Sequence, residues 1–258
     1  MTDAQCIEKI LRECGAMLMA CRHAGRTEGE WSGEQFKAAA DGIAHEFLVA
    51  ALGEAFPGIP VVSEEDPASV GVQTADHFII DPIDGTASFV HGFAGWVTQV
   101  ALICANRPVI AGVYAPASDE YFSARRGYSA YRNCDRLSVH DAVSEAHSLI
   151  DNYPEARGIT QDLQQALGIP LYVESGSIAL KMCRIADRGA DLFMKDMSPR
   201  DWDVAAPMLL LEEAGAVITD LQGEALVLGS QDRRHNGLIV AASPVVAERV
   251  RNWFALRK

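Results

Sequence analysis

Apolar residues recur near the start of the chain at intervals of three and four: Ile7, Ile10, Leu11, Cys14, Met17, Leu18 and Cys21. That spacing puts one apolar stripe along a helix. A polar break from Gly25 to Gly33 ends it. A second helix is predicted through Phe36, Ala40, Ile43, Phe47, Leu48 and Leu52, stopped by Gly53 and Pro57-Gly58. Strand-like runs follow at 60–63, 77–81, 97–104, 108–115, 119–124 and 128–132, the rhythm of a largely antiparallel sheet. From about residue 147 the pattern alternates. Strand 147–151, helix 155–167, strand 170–173, helix 177–188, strand 190–195 and helix 203–214 are followed by strands 216–219 and 237–242 and helix 244–256. An α+β half (1–145) thus meets an α/β half (146–258). The candidate linker Asp141-Ala142-Val143-Ser144-Glu145 is short, so one compact unit is expected. No internal repeat or low-complexity segment appears.

Composition narrows the class. A hydrophobic content of 49% with 22% charged residues over 258 positions describes a globular chain with ample core. The longest apolar runs fall short of the ~18 residues a membrane helix needs, so no membrane association is expected. Asp3 and Glu8 stand where a secretory signal would carry positive charge. The six cysteines lack metal-type spacing and read as reduced thiols, so a cytoplasmic location is expected. Net charge is −13 with no run of Lys or Arg, which argues against a nucleic-acid partner. An anionic substrate would be repelled too, unless divalent cations invert the charge where carboxylates cluster.

One segment concentrates the chemistry. Phe78-Ile79-Ile80 ends a buried strand and delivers Asp81 and Asp84 three residues apart, with Pro82 stiffening the turn between them. Gly85 permits a tight bend and close backbone approach, so the amides of Gly85 and Thr86 can point at an anion. Hard oxygen ligands beside free N–H groups suit Mg²⁺ and a phosphate. In haloacid-dehalogenase-type phosphatases the two Asp stand two apart and the first is the nucleophile. A separation of three fits metal ligands better, which leaves water as the nucleophile. An Asp-rich turn joining strand to helix is the plainer alternative. Upstream, Ser63-Glu64-Glu65 ends a short apolar run; alone it would be a solvated loop. Downstream, Asp203 opens a helix with Val204, Met208, Leu211 and Ala214 at helical spacing and Gly215 as its stop. A carboxylate there is favoured by the helix dipole whatever its function, by roughly 0.3–1 kcal/mol.

Together these segments resemble the inositol monophosphatase superfamily of Mg²⁺-dependent, lithium-sensitive phosphatases. The similarity is carried by Ser63-Glu64-Glu65, Asp81-Pro82-Ile83-Asp84-Gly85-Thr86 and Trp202-Asp203-Val204-Ala205-Ala206. It continues through Gly112-Val113-Tyr114-Ala115-Pro116, Phe122-Ser123-Ala124, Gly176-Ser177 and Glu213-Ala214-Gly215. The likeness spans about residues 36–243, in the family's order. It implies the layered α-β-α-β-α sandwich, a homodimer, and two to three Mg²⁺. Glu64, Asp81 and the Ile83 carbonyl would hold the first ion, and Asp81, Asp84 and Asp203 the second. Thr86 would orient the attacking water with help from Asp41, for which an ordinary helix-surface Asp is the alternative. Gly85 and Thr86 would bind phosphate; Gly176, Ser177 and Asp196 would meet the leaving group, Asp196 being otherwise a loop residue. Glu65 is not counted as a ligand, and His91 is given a structural or rim role.

The stretch Glu28–Lys37 departs from the family, lacking its usual Thr and loop Lys; in relatives that loop helps bind the third metal, so the departure bears on third-metal binding, on closure over the substrate and, most of all, on which substrate is taken. Phe89-Val90-His91-Gly92 resembles the inositol-phosphatase branch, and the expected substrate is an inositol or related polyol or sugar monophosphate. Ser63-Glu64-Glu65-Asp66-Pro67 and Ala179-Leu180-Lys181-Met182-Cys183 resemble the branch that removes the 3′-phosphate of adenosine 3′,5′-bisphosphate. Histidinol phosphate and fructose 1,6-bisphosphate are further possibilities. A non-catalytic interaction protein that kept the fold is the competing class; the intact Glu64, Asp81, Asp84, Thr86 and Asp203 argue against it.

Overall fold

Thr2 starts the first helix. Its hydroxyl accepts the Gln5 N–H at 3.3 Å while Gln5 Oε1 accepts the Thr2 N–H at 2.9 Å, a reciprocal cap. A computed structural model of the chain describes residues 2–32, 35–71, 74–139 and 144–257, with the backbone alone for 30–32 and 35–37. Along the chain lie α1 (Asp3–His23), β1 (Gly29–Ser32), β2 (Gln35–Ala38), α2 (Ala39–Ala55), β3 (Val61–Ser63), β4 (Asp76–Asp84) and the short α3 (Thr86–Val90). Next come β5 (Val97–Cys104), β6 (Arg107–Ala115), β7 (Glu120–Arg125), β8 (Ala130–Arg132) and β9 (Asp135–Arg136). The remainder comprises β10 (Ser148–Asp151), α4 (Ile159–Leu167), β11 (Leu171–Glu174), α5 (Ile178–Ala186), β12 (Leu192–Lys195), α6 (Asp201–Ala214), β13 (Val217–Thr219), β14 (Leu238–Ala241) and α7 (Pro244–Ala255).

The described strands β3 to β9 form one sheet in sequential order, antiparallel except where β3 runs parallel to β4. A second sheet has the order β11-β10-β12-β14-β13, parallel across its first three strands and antiparallel beyond. Because side chains alternate along a strand, β4 sends Phe78 and Ile80 to one face, where they meet Ile7, Leu11, Leu18 and Leu48 of α1 and α2. Ile79 points to the other face, into a core shared with Leu180, Leu209, Phe193 and Val240. That core lies between the two sheets and is filled by α5 and α6. Beyond the second sheet, Leu149, Leu192 and Ile239 pack against Leu163, Val246 and Val250 of α4 and α7. The layers run α-β-α-β-α. Among the described residues no helix is long and apolar enough to cross a membrane.

Local chemistry moves several predicted boundaries. The expected break at 25–33 contains β1, which pairs with β2 from Gly29↔Ala38 to Ser32↔Gln35. Phe36 is therefore in a strand, and α2 begins at Ala39. The helix expected from 155 starts at Ile159, because Gly158 at φ 55° lies outside helical space. The two-residue β9 carries no apolar alternation and was not anticipated. Residues 141–143 of the predicted linker, and the side chains of most of the divergent 28–37 stretch, lie outside the described residues.

Candidate active site

The site is built around the end of β4. Ile79 and Asp81 share the face turned toward α5 and α6. The register with β5 is regular to Asp81↔Gln99 and shifts before Asp84↔Val97, a bulge that turns Asp84 out of the alternation. Gly85 follows at φ 92°, the left-handed region that favours glycine. A Cβ there would also stand 2.9 Å from the Gly95 carbonyl oxygen. The chain then enters α3, which is held down by Phe89 edge-on against Trp96, centroids 4.9 Å apart at 83°. Such a pair contributes about 0.5–1.5 kcal/mol beyond its buried area.

Three carboxylates converge. Oxygens of Asp81, Asp84 and Asp203 all lie within 4.8 Å of one another. Each is held by different means. Asp84 Oδ2 accepts the Ser177 hydroxyl and the Ala179 N–H, both at 2.6 Å, and Oδ1 accepts the Ile178 N–H at 3.3 Å. The start of α5 thus braces a ligand candidate that lies 93 residues upstream of Ser177. Asp203 sits in the first turn of α6, where Oδ2 accepts the Arg200 N–H at 2.6 Å. It is both the helix-start residue and a member of the cluster. Asp81 is buried, and its Oδ1 has no hydrogen-bond partner among the described residues.

Glu64, half-buried on the turn after β3, and Asp41 in the first turn of α2 complete the field. Asp41 Oδ2 accepts the Ala38 N–H at 2.7 Å, leaving Oδ1 for the Thr86 hydroxyl at 3.2 Å. That hydroxyl also lies 3.0 Å from the Ile83 carbonyl oxygen. Its single proton serves one acceptor at a time.

The electrostatics are those of a site short of positive charge. Burial pushes the Asp81 carboxyl well above the usual range, followed by the fields of Glu64, Asp84, Asp203 and Asp41. Glu64 is raised by burial, then by Asp203, Glu65, Asp41 and Asp84. Asp84 is raised by burial against the opposing bonds from Ser177 and Ala179 and the nearby Lys181. Asp203 is pushed from 3.8 to about 7 by burial and Asp84. At neutral pH the ionised form of Asp203 is thus much less favoured than that of an exposed carboxylate. An unpartnered buried oxygen, an all-oxygen donor set and mutual repulsion fit a hard divalent cation.

The structure brings Asp41, Glu64, Asp81, Asp84, Thr86 and Asp203 to one place. Gly176 passes so close to the Gly85–Gly95 loop that a Cβ would sit 1.9 Å from Ser88 Oγ and 2.7 Å from the Gly95 oxygen. Ser177 is fully buried, its hydroxyl committed to Asp84 and accepting the Leu180 N–H at 2.9 Å. The exposed Asp196 lies beyond β12 and borders a cavity of about 300 Å³ with Asp151, Tyr153, Arg157 and Lys195. Segment 175–177 joins that cavity to the carboxylates, since the Ser175 N–H donates to the Asp151 carbonyl at 2.8 Å. His91 stands at the exposed end of α3.

Sequence reasoning missed three supports. His45, one turn after Asp41, bonds Ser63 Oγ at 2.8 Å beside Glu64; its i+4 spacing was the available signal. Lys181, fully buried, reaches Asn152 and lies 3.5 Å from Asp151 Oδ1; burial lowers it to about 8. Asp201, fully buried, meets Arg233 at 3.0 Å and His235 at 2.9 Å, and Arg233 Nε also donates to the Val70 carbonyl at 2.9 Å. That last cluster ties the start of α6 to the segment following Glu64.

The sequence profile described as "Inositol monophosphatase family" matches residues 3–253. An inositol-1-monophosphatase of Mesorhizobium japonicum is 31% identical over 214 residues, 80% of this chain and 78% of the relative. A 3′(2′),5′-bisphosphate nucleotidase CysQ of Escherichia coli is 32% identical over 193 residues, 73% and 77% of the two chains. A putative Nus factor SuhB of Neisseria meningitidis is 33% identical over 207 residues, 77% and 76%. The solved Thermotoga maritima IMPase superposes with a TM-score of 0.80 at 25% identity, covering 96% of each chain.

Proposed function

This chain belongs to the inositol monophosphatase family, and we propose that it hydrolyses a small phosphate monoester with two to three Mg²⁺, using water directly as the nucleophile. The observation that carries this reading is the trio Asp81, Asp84 and Asp203, oxygens within 4.8 Å, beside a Thr86 hydroxyl already engaged with Asp41. Glu64, Asp81 and the Ile83 carbonyl would hold one Mg²⁺, and Asp81, Asp84 and Asp203 another. When bound, such ions lower the pKa of a water and neutralise the departing alkoxide. With the Ile83 carbonyl given to a cation, the Thr86 hydroxyl proton would go to Asp41, leaving the Thr86 oxygen to accept from the attacking water and fix its direction. Gly85 and Thr86 offer the first amides of α3, which have no helical carbonyl upstream, to the phosphate oxygens. Ser177 and the α5 amides orient Asp84 and favour its ionised form against the effect of burial. Asp84, held by three donors, is a braced ligand rather than a nucleophile, so no phosphoryl-enzyme forms; trapping a phosphorylated Asp81 or Asp84 during turnover would contradict this. Lithium inhibits by entering a cation position, and the protein acts as a cytoplasmic homodimer.

For the leaving group, a polyol such as inositol is favoured, with Asp196 accepting from its hydroxyls at the rim of the adjoining cavity. A second reading rests on other residues lining that cavity. Arg157 lies 4.7 Å from the Tyr153 ring centroid, and Lys195 stands beside them, a suitable set for a base and a second phosphate. That reading is a 3′,5′-bisphosphate nucleotidase. Comparing kcat/KM for inositol 1-phosphate and adenosine 3′,5′-bisphosphate in one Mg²⁺ buffer decides between them. A preference of a hundredfold or more for the nucleotide overturns the polyol assignment and leaves the hydrolytic chemistry intact.

A further inference from the structure

Directly across the β4–β5 ladder from Asp81 stands Gln99. Opposed residues of an antiparallel pair project to the same face, their Cβ atoms about 4.5–5.5 Å apart. Gln99 therefore shares the inner face with Asp81, between Ala101 on its own strand and Val113 on β6, both in the core filled by α5 and α6. Its side chain is 1% exposed. Neither amide atom, Nε2 or Oε1, has a hydrogen-bond partner among the described residues, and the same holds for Asp81 Oδ1. A buried amide bonded to nothing is costly to keep. Here a donor without an acceptor faces an acceptor without a donor, one ladder rung apart.

We propose that Gln99 is a positioning residue for Asp81: its Nε2 donates to the Asp81 carboxylate when cations occupy the cluster, and so fixes the carboxylate's orientation. The inference rests on the metal-dependent reading given above. Asp81, named above for both cation positions, would have to keep its carboxylate in a fixed orientation, and the bonds that hold Asp84 and Asp203 come from α5 and Arg200. Gln99 supplies for Asp81 what those donors supply for its neighbours. Groups that brace a metal ligand change metal affinity by about 10–100-fold.

The test uses Gln99→Met, close in volume and without hydrogen-bonding groups, and Gln99→Asn, which keeps a shorter amide. Mn²⁺ binding by electron paramagnetic resonance and the melting temperature of the EDTA-treated protein are measured on each full chain. In the Met variant, Mn²⁺ affinity falls about tenfold or more while the metal-free melting temperature holds or rises, because an unpartnered buried amide has gone. The Asn variant loses less affinity than the Met variant. A variant that is merely less well packed moves the melting temperature down and leaves affinity alone, which overturns the proposal. In the wild type, Mg²⁺ moves the Gln99 side-chain amide proton downfield in a spectrum of ¹⁵N-glutamine-labelled protein; an unmoved resonance overturns the proposal even if neither variant folds. Wild-type protein that binds no Mn²⁺ overturns the metal-dependent reading with it, whereas intact wild-type binding with an unaffected Met variant overturns this inference alone.

Discussion

Asp201 and Asp203 stand two positions apart at the start of α6, yet they belong to clusters built in opposite ways. Asp201 is surrounded by donors: Arg233, His235 and the Gly229 N–H at 2.8 Å. Asp203 faces carboxylates, with the Arg200 N–H as its nearest relief. Breaking a buried pair by removing one partner costs about 3–5 kcal/mol, so the Asp201 cluster behaves as a clamp. The neighbouring group of Asp41, Glu64, Asp81, Asp84 and Asp203 stores repulsion that a bound cation would relieve. One buried acid is fully partnered and the next is held among like charges.

The largest expected effect comes from Asp81→Asn. It should lower kcat/KM by about a thousandfold, ~4 kcal/mol, while the metal-free melting temperature holds or rises as repulsion is relieved. Retention of more than about a tenth of wild-type activity breaks the contrast. Asp201→Ala should do the reverse in stability, costing about 3–5 kcal/mol in chemical denaturation by leaving Arg233 buried without its carboxylate. A loss below 1 kcal/mol would mean the clamp carries little.

Third is the pH dependence of the metal-free protein. Asp203 titrates near 7 in the folded chain, against about 3.8 without its surroundings. Between those values the folded state binds more protons than the unfolded state, so stability falls as pH rises toward about 7 and levels off above it. Its contribution is fully present below the unfolded value. Saturating Mg²⁺ should flatten this slope, its stabilising effect growing from pH 5 to pH 8 in thermal melts. A metal-free stability that rises over that interval contradicts the assignment. The smallest effect is expected from Ser177→Ala, which removes one of three bonds to Asp84: metal affinity should drop about tenfold, read by Mg²⁺ titration of activity.

What the sequence made legible follows from how far apart partners lie. Asp81, Asp84, Gly85 and Thr86 are adjacent along the chain, so one strand end and one turn reveal them. The apolar periodicity likewise gave α1, the long strands and α6, since each buries one face along its own length. Ser177 acting on Asp84 across 93 residues, and Arg233 on Asp201 across 32, leave no local trace. Gln99 reads as one polar residue in an apolar strand until the register sets it opposite Asp81. The β1–β2 hairpin escaped notice for a related reason: Glu28 to Lys37 carries no alternation that names a buried face.

The most direct test of the central claim is phosphate release from protein stripped with EDTA and then returned to Mg²⁺, wild type beside Asp81→Asn, on inositol 1-phosphate and adenosine 3′,5′-bisphosphate. No turnover is expected after stripping, with recovery in the wild type on at least one of the two substrates and no recovery in the variant. Turnover undiminished in EDTA, or equal recovery in Asp81→Asn, would contradict that claim.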